Sequence, residues 1–468
     1  MNTKRRGNQP GEDESGAKGS VEDVDKTANG KSLNRRILGL AVPSLGSLLA
    51  EPLMVLADSA MIGHLGTTEL AGLTLASSVN VLVAGLCLFL VYGTTAVASR
   101  QLGAGDRAAA VKTGVDGAWL GVLVGLAAAA VLYLGAEPIV ALFGSGSAVN
   151  LQAVAYLRAA APGMAGMLLV LAGTGAMRGQ LDARTPLVIT AIGAGANVAL
   201  NAALIYGASL GVTGAGLGTS LASLGMGAAF VVKIIAGARA AGVSLIPQFK
   251  AILQALTGGT PLMIRTITMQ TVILATLWVA AAQGEVAVAG RQVAAATWGI
   301  TTNFHDAIAI ATQALIGFEL GRADQLGVRH LIRRVTWWGI GIGLVLGVVT
   351  AAVCPVWPWV FTSDPRVAVV ATAALLVSAV FQPLAGVVFV LDGVLIGAND
   401  TWYLAWAGLA NVAIYVPALV AVWVWAGAGP AGLAWLWGCY CGVFMAARLV
   451  TLGWRLRQSA WMRLGVPS

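Results

Sequence analysis

Charge is the scarcest commodity in this chain: 10% of its 468 residues are charged and three are histidine, against about a quarter charged in a typical globular protein. So few charges cannot cover the surface of a soluble protein of this length, which disfavours a soluble enzyme and a nucleic-acid binder alike. Cysteine is scarce too. Cys87, Cys354, Cys439 and Cys441 all sit in apolar stretches, and Cys439-x-Cys441 has no second His or Cys pair with which to hold a metal. A disulfide scaffold and a zinc site are therefore disfavoured, and the four read as small buried hydrophobes. No GxxxxGK[ST], no HExxH and no paired Asp-rich prenyl-diphosphate motif is present, so nothing here could hydrolyse ATP. Strings such as GIGIG at 339–343 lack a strand-turn-helix context and suit close helix packing instead.

What the chain has is apolar length, with 58% hydrophobic residues. A bilayer core takes about 20 apolar residues per helix. Dividing the sequence at its charged or Gly/Pro-rich breaks predicts an all-α membrane protein of twelve spans, near 37–62, 70–98, 110–134, 150–177, 185–207, 211–235, 253–281, 286–316, 332–361, 367–396, 403–426 and 430–453. The stretches around Glu137 and Asp364 are short and broken enough to be interfacial. Residues 1–34 are polar, electrically balanced and poor in large apolar side chains, which predicts a disordered cytoplasmic tail. They do not read as a signal peptide, because the first apolar run starts only after Arg35 and Arg36. With the N-terminus inside, the inner segments hold 24 of the 28 Lys and Arg and the outer loops keep only Arg366. That parity predicts both termini in the cytoplasm. Arg158, Arg265 and Arg291 fall inside spans.

Compared with itself, the chain repeats at an offset of 218 residues. Pro43 matches Pro261, Leu102-Gly103 and Asp106 match Leu320-Gly321 and Asp324, and Gly175, Gly179 and Asp182 match Gly393, Gly397 and Asp400. The offset contains six spans, an even number, so the halves are parallel copies about an axis along the membrane normal. The expected division is a tail at 1–34, a six-helix lobe at 35–240, a second at 241–456 and a cytoplasmic tail at 457–468. Two such lobes enclose a central cleft, and rocking between them suits a secondary transporter.

Ionisable side chains inside spans are costly and become functional candidates by default. The acids are Glu51, Asp58, Asp116, Asp306 and Asp392. Glu51 and Asp58 are seven apart and share a helical face, where two carboxylates can hold a proton near neutrality; a local polar contact is the other reading for Glu51. Asn197 and Asn201 share a face of the fifth span, as interhelical glue or as an ion or proton network. Arg265 and Arg291 need counter-charges, and Asp306 and Asp392 in the same lobe are available. His305 reads as a hydrogen-bonded filler.

Several stretches resemble the multidrug and toxic compound extrusion family, closest to its bacterial DNA-damage-inducible F-like branch: AEPLMVLADSAMIGHLG (50–66), RQLGAGD (100–106), GAMRGQLDARTPL (175–187), LGVTGAGLGTSLA (210–222), AIAIATQALIGFELG (307–321) and FVLDGVLIGANDTWYLAWA (389–407). The resemblance implies twelve helices in two lobes and export of cationic or amphipathic compounds in exchange for protons or sodium, from a bacterial inner membrane. It implies that Asp58 carries the coupling ion, with Glu51 as helper. Asn197 matches the family's fifth-helix Asn-x-x-x-Asp, but Asn201 stands where the Asp would be. Thr219 and Thr174 resemble further members of that polar network. With one acid lost, protons are expected in preference to sodium. Thr276 occupies the position related to Asp58 by the repeat, and Asp392 fits the branch's own pattern. The expectation is a monomeric antiporter with a small-molecule substrate and a lipid bilayer as partners, without nucleic acid, metal or cofactor and without enzymatic activity. A flippase or exporter of a lipid-linked precursor or endogenous metabolite is the alternative, favoured if the cleft were strongly cationic.

Overall fold

The structure, a computed structural model, describes residues 15–144 and 146–466, with side chains from residue 32. All its regular elements are helical. The N-terminal lobe comprises α1 (Ser15–Gly63), α2 (Thr67–Leu86), α3 (Phe89–Gly103), α4 (Arg107–Leu134), the short α5 (Ala136–Ala141), α6 (Ser147–Ala160), α7 (Gly163–Gly179), α8 (Arg184–Ala202) and α9 (Gly211–Ala240). The C-terminal lobe follows with α10 (Phe249–Ala282), α11 (Glu285–Gly321), α12 (Gln325–Val353), α13 (Pro365–Gly397), α14 (Thr401–Trp425), α15 (Pro430–Gly438) and α16 (Met445–Arg457).

Joined across short breaks, ten of these helices are long and apolar enough to cross a membrane, and eleven when the bent pair α6 and α7 counts as one. The remaining expected span, 286–316, lies in α11. That helix has 37 residues, ample length, but carries Arg291, His305, Asp306 and Glu319 and is not apolar enough by composition. α1 starts at Ser15, so residues 15–34 are helical backbone continuous with the first span, where composition predicted disorder. Extending a helix that already exists costs far less than nucleating one. Residues 1–14 of that expected tail lie outside the described residues.

The repeated Asp residues stand at helix starts, and three of the four accept hydrogen bonds from the first-turn backbone. Asp106 accepts a hydrogen bond from Ala109 N at the start of α4, and its repeat-mate Asp324 from Gly327 N at the start of α12, both at 2.8 Å. Asp182 caps α8 through Thr185 N at 3.0 Å, whereas its mate Asp400 instead takes Arg455 at 2.6 Å. The copies differ in continuity. α6 and α7 are bent by 55° at Ala161-Pro162, where proline removes a backbone donor, while the equivalent α13 runs unbroken for 33 residues.

The lobes meet along α3 and α11. A Cβ added to Gly103 would land on the carbonyl oxygen of Phe318, and one added to Gly321 on that of Arg100. Residues 100 and 103 are related to 318 and 321 by the same 218-residue offset, so this backbone contact is reciprocal and lies on the pseudo-twofold axis. The same end is tied by Arg36 to Glu319 at 3.0 Å and by Asn34 to Arg334 at 2.7 Å and Trp338 at 3.1 Å. The chain's final stretch joins in. Trp461 is buried, Gly465 N donates to Leu320 O at 2.9 Å, and Arg100 Nε donates to Gly465 O at 2.7 Å.

Candidate functional site: a central cavity and its charged walls

Between the lobes lies a cavity of about 300 Å³. Its N-lobe wall includes Ser47, Glu51, Asp58, Tyr92, Thr174, Arg178 and Thr219, and its C-lobe wall includes Arg265, Asp306, Gln313, Phe389 and Asp392. On α11 the lining residues Asp306, Ala309, Ile310 and Gln313 follow a helical stripe. Gln313 reaches across the boundary and donates to Tyr92 O at 2.9 Å.

Asp58 is the centre of the N-lobe wall. Its carboxylate accepts from Asn201 Nδ2 at 2.5 Å and from Thr219 Oγ1 at 3.5 Å. Asn197 Nδ2 donates to Thr219 at 3.2 Å, and Asn201 Nδ2 also approaches Asn197 Oδ1 at 3.4 Å. Asp58, Asn197 and Asn201 are all buried. Asn201 Oδ1 is buried without a partner, packed against Gly218. A π-helical turn, Ala203–Gly207, follows at once, an irregularity common near functional sites. The structure thus brings Asp58, Asn197, Asn201 and Thr219 into one hydrogen-bonded cluster. Thr174 lines the cavity but makes no hydrogen bond to them, and neither does Glu51, which opens to the cavity space.

The C-lobe at the equivalent place holds no acid: Thr276 Oγ1 and Tyr415 Oη, the repeat-mates of Asp58 and Asn197, pair at 2.6 Å. Its charges lie elsewhere. Arg265 is ion-paired with Asp392, which also accepts from Arg448 at 3.3 Å. These two positions, 265 and 392, are the mates of Ser47 and Thr174. Asp392 therefore answers Arg265, but Asp306 pairs with neither arginine expected for it. Arg291 does not line the cavity; it donates to Ile273 O at 3.1 Å, with its Nε unpartnered. The sequence could not distinguish these partners because they come from helices about 127 residues apart. His305 is the expected filler, held by Gln382 at 2.8 Å. Asp116 is occupied by Lys112 at 2.6 Å. Sequence reasoning counted Arg178 and Arg448 only among the cations of the inner segments, although each sits buried in a helix; the four-residue spacing from Thr174 was the available signal for Arg178.

The MatE family matches the chain twice, over residues 43–203 and again over 261–422, starting points separated by the same 218 residues. The chain belongs to the MatE family. It is a multidrug and toxic compound extrusion transporter, a multi-pass membrane protein that moves small molecules, and not an enzyme. Protein DETOXIFICATION 44, chloroplastic, of Arabidopsis thaliana is 29% identical over 449 residues, covering 92% of this chain and 84% of that protein. "Probable multidrug resistance protein NorM" of Thermotoga maritima is 23% identical, covering 79% and 81%. The fold matches the bent form of the Vibrio cholerae transporter VcmN with a TM-score of 0.83 at 20% identity, covering 93% of this chain and 99% of that one. It also matches a MATE protein in the bent conformation with a TM-score of 0.84 at 21% identity, covering 92% and 96%. Relatives thus include a chloroplastic plant protein as well as bacterial ones, so the match reaches the family as a whole.

Proposed function

We propose that this transporter is an antiporter that exports organic cationic or amphipathic compounds in exchange for protons carried by Asp58. The observation that supports this most is the polarity of the Asp58 neighbourhood. One carboxylate is surrounded by neutral groups, and Asn201, which replaces the family's usual second acid, points an N–H at it. Sodium wants several oxygens of at least partial negative charge, and here the nearest amide donates instead of accepting. A proton needs only the carboxylate and a partner. On protonation the new O–H needs an acceptor, and a flip of the Asn201 amide would supply its idle Oδ1.

The cavity wall carries four acids, Glu51, Asp58, Asp306 and Asp392, and two arginines, Arg178 and Arg265, a balance that suits cationic cargo. Anionic cargo had rested on Arg265 and Arg291; the first is paired and the second is away from the cavity. The Lys/Arg parity supports cytoplasmic termini in a bacterial inner membrane, and the blocks quoted above support the DNA-damage-inducible F-like branch. Exchanging one monovalent cation for one proton moves no net charge, so the cycle runs on the pH gradient, at about 1.4 kcal/mol per pH unit.

The test is proteoliposomes loaded with a cationic dye and given an imposed pH gradient, with and without sodium. Dye movement should persist without sodium and cease when the gradient is collapsed. Loss of transport on removing sodium at a fixed pH gradient would overturn the proton assignment.

A further inference from the structure

Two groups of opposite charge line the cavity and are left incomplete. Arg178, in the last turn of α7, is 5% exposed. Its Nη2 donates to Ser47 Oγ at 2.8 Å, but its Nε is buried with no acceptor. A buried donor without a partner is costly, and a movement that opens this edge to the cavity offers it to a bound group. Asp306 on α11 lines the same cavity from the other lobe, and among the described residues no hydrogen bond or ion pair reaches its carboxylate. The two face the same cavity from opposite lobes, and no hydrogen bond or ion pair joins them.

The surrounding groups do not complete either one. Arg265 and Arg448 converge on Asp392, and Asp58 is held by Asn201 and Thr219. A purely cationic cargo at Asp306 would sit beside the Arg178 guanidinium, and a purely anionic one at Arg178 would meet the Asp306 carboxylate. One cargo with both charges close together meets both needs. The guanidinium edge also suits a planar carboxylate, which it can grip with parallel N–H donors.

We propose that Arg178 and Asp306 form a recognition site for a zwitterionic head group, its carboxylate on Arg178 and its ammonium on Asp306, bridging the two lobes. This rests on the cavity being the cargo site, and it changes the cargo from organic cations in general to compounds that carry an ammonium beside a carboxylate; for a cargo with no other charge, exchange for one proton then moves one net charge across the membrane. The bridge has a mechanical meaning: the cargo supplies the link between α7 and α11 that the protein itself leaves open.

The test uses the full chain purified in detergent and three fluorescent probes with the same body: Nε-dansyl-lysine, its methyl ester and its Nα-acetyl derivative, which present a zwitterion, a cation and an anion. Binding is read by fluorescence anisotropy. A charge-assisted hydrogen bond contributes about 1.5–3 kcal/mol, so the zwitterion should bind roughly 10-fold or more tighter than either relative. Arg178→Gln should erase the difference between acid and ester, and Asp306→Asn the difference between free and acetylated amine. Equal binding of all three probes by the unaltered protein overturns the proposal, and so does a uniform loss for all three in either variant, which would make these residues structural. The proton-coupled reading is judged separately, by pH-driven movement of the methyl ester and its loss in Asp58→Asn, so the two can fail independently.

Discussion

Asp58 has only amide and hydroxyl partners, so its charge is not balanced by a neighbouring cation, as the proposed proton exchange requires. Asp58→Asn keeps the size and one acceptor oxygen for Asn201, turns the other oxygen into an NH2 that donates to the Thr219 hydroxyl, and removes the proton. Export driven by a pH gradient should disappear with expression and folding intact; normal export by this variant would exclude Asp58 as the carrier. Asn201→Asp places a second acid against the first, and it should introduce sodium dependence, read as sodium-stimulated dye movement at a fixed pH gradient. Asp392 is a different kind of acid. It answers two buried arginines, and removing one partner of a buried ion pair typically costs about 3–5 kcal/mol. Asp392→Asn should accordingly lower thermal stability in detergent well beyond Asp58→Asn, and equal melting of the two variants would show that Arg265 and Arg448 find other acceptors. Side-chain spacing made the Asp58, Asn197 and Asn201 faces legible in the sequence, because they depend on helix periodicity alone. Which arginine meets which acid was not legible, since it depends on how helices pack.

The elements divide along the same line. Most spans announce themselves by apolar length, and the repeat predicted their pairing into two lobes. α11, expected at 286–316 and found there, is less apolar than the spans around it because Asp306 and Gln313 face the cavity and Glu319 faces the other lobe. The repeated Leu-Gly-x-x-Asp blocks were visible as a pattern, but their meaning, a close glycine contact followed by a helix cap, needed the fold. Gly321 is where that contact can be probed. A side chain there collides with the backbone of Arg100, which cannot retreat as a flexible side chain could. Gly321→Val should force α3 and α11 apart at this end, and a cysteine introduced in the exposed 104–106 turn should then react with a water-soluble maleimide faster than in the parent, with no change at the opposite end. Unchanged labelling would show that the lobes absorb the added bulk without separating.

For the whole molecule the Lys/Arg parity supports a testable orientation. A cysteine at the exposed Ser209 should label from outside intact cells and one at Gly105 only after permeabilisation; the reverse pattern would invert the proposed topology. The two lobes share a plan and differ in chemistry: where one has Asp58 and Asn197 the other has Thr276 and Tyr415, and where one has Ser47 and Thr174 the other has the ion pair of Arg265 and Asp392. One backbone contact between them, however, has stayed alike on both sides. Gly103 rests on residue 318 just as Gly321 rests on residue 100, so at this point each lobe offers to its partner what it would equally offer to a copy of itself. Two N-terminal lobes could therefore mispair through the same glycines and make a particle with two Asp58 clusters and no ion-paired wall. The covalent connection at 241–248 prevents this by holding the correct partner at a high effective concentration, in the millimolar range for a short tether, so that the unlike pairing forms before a stray copy can compete.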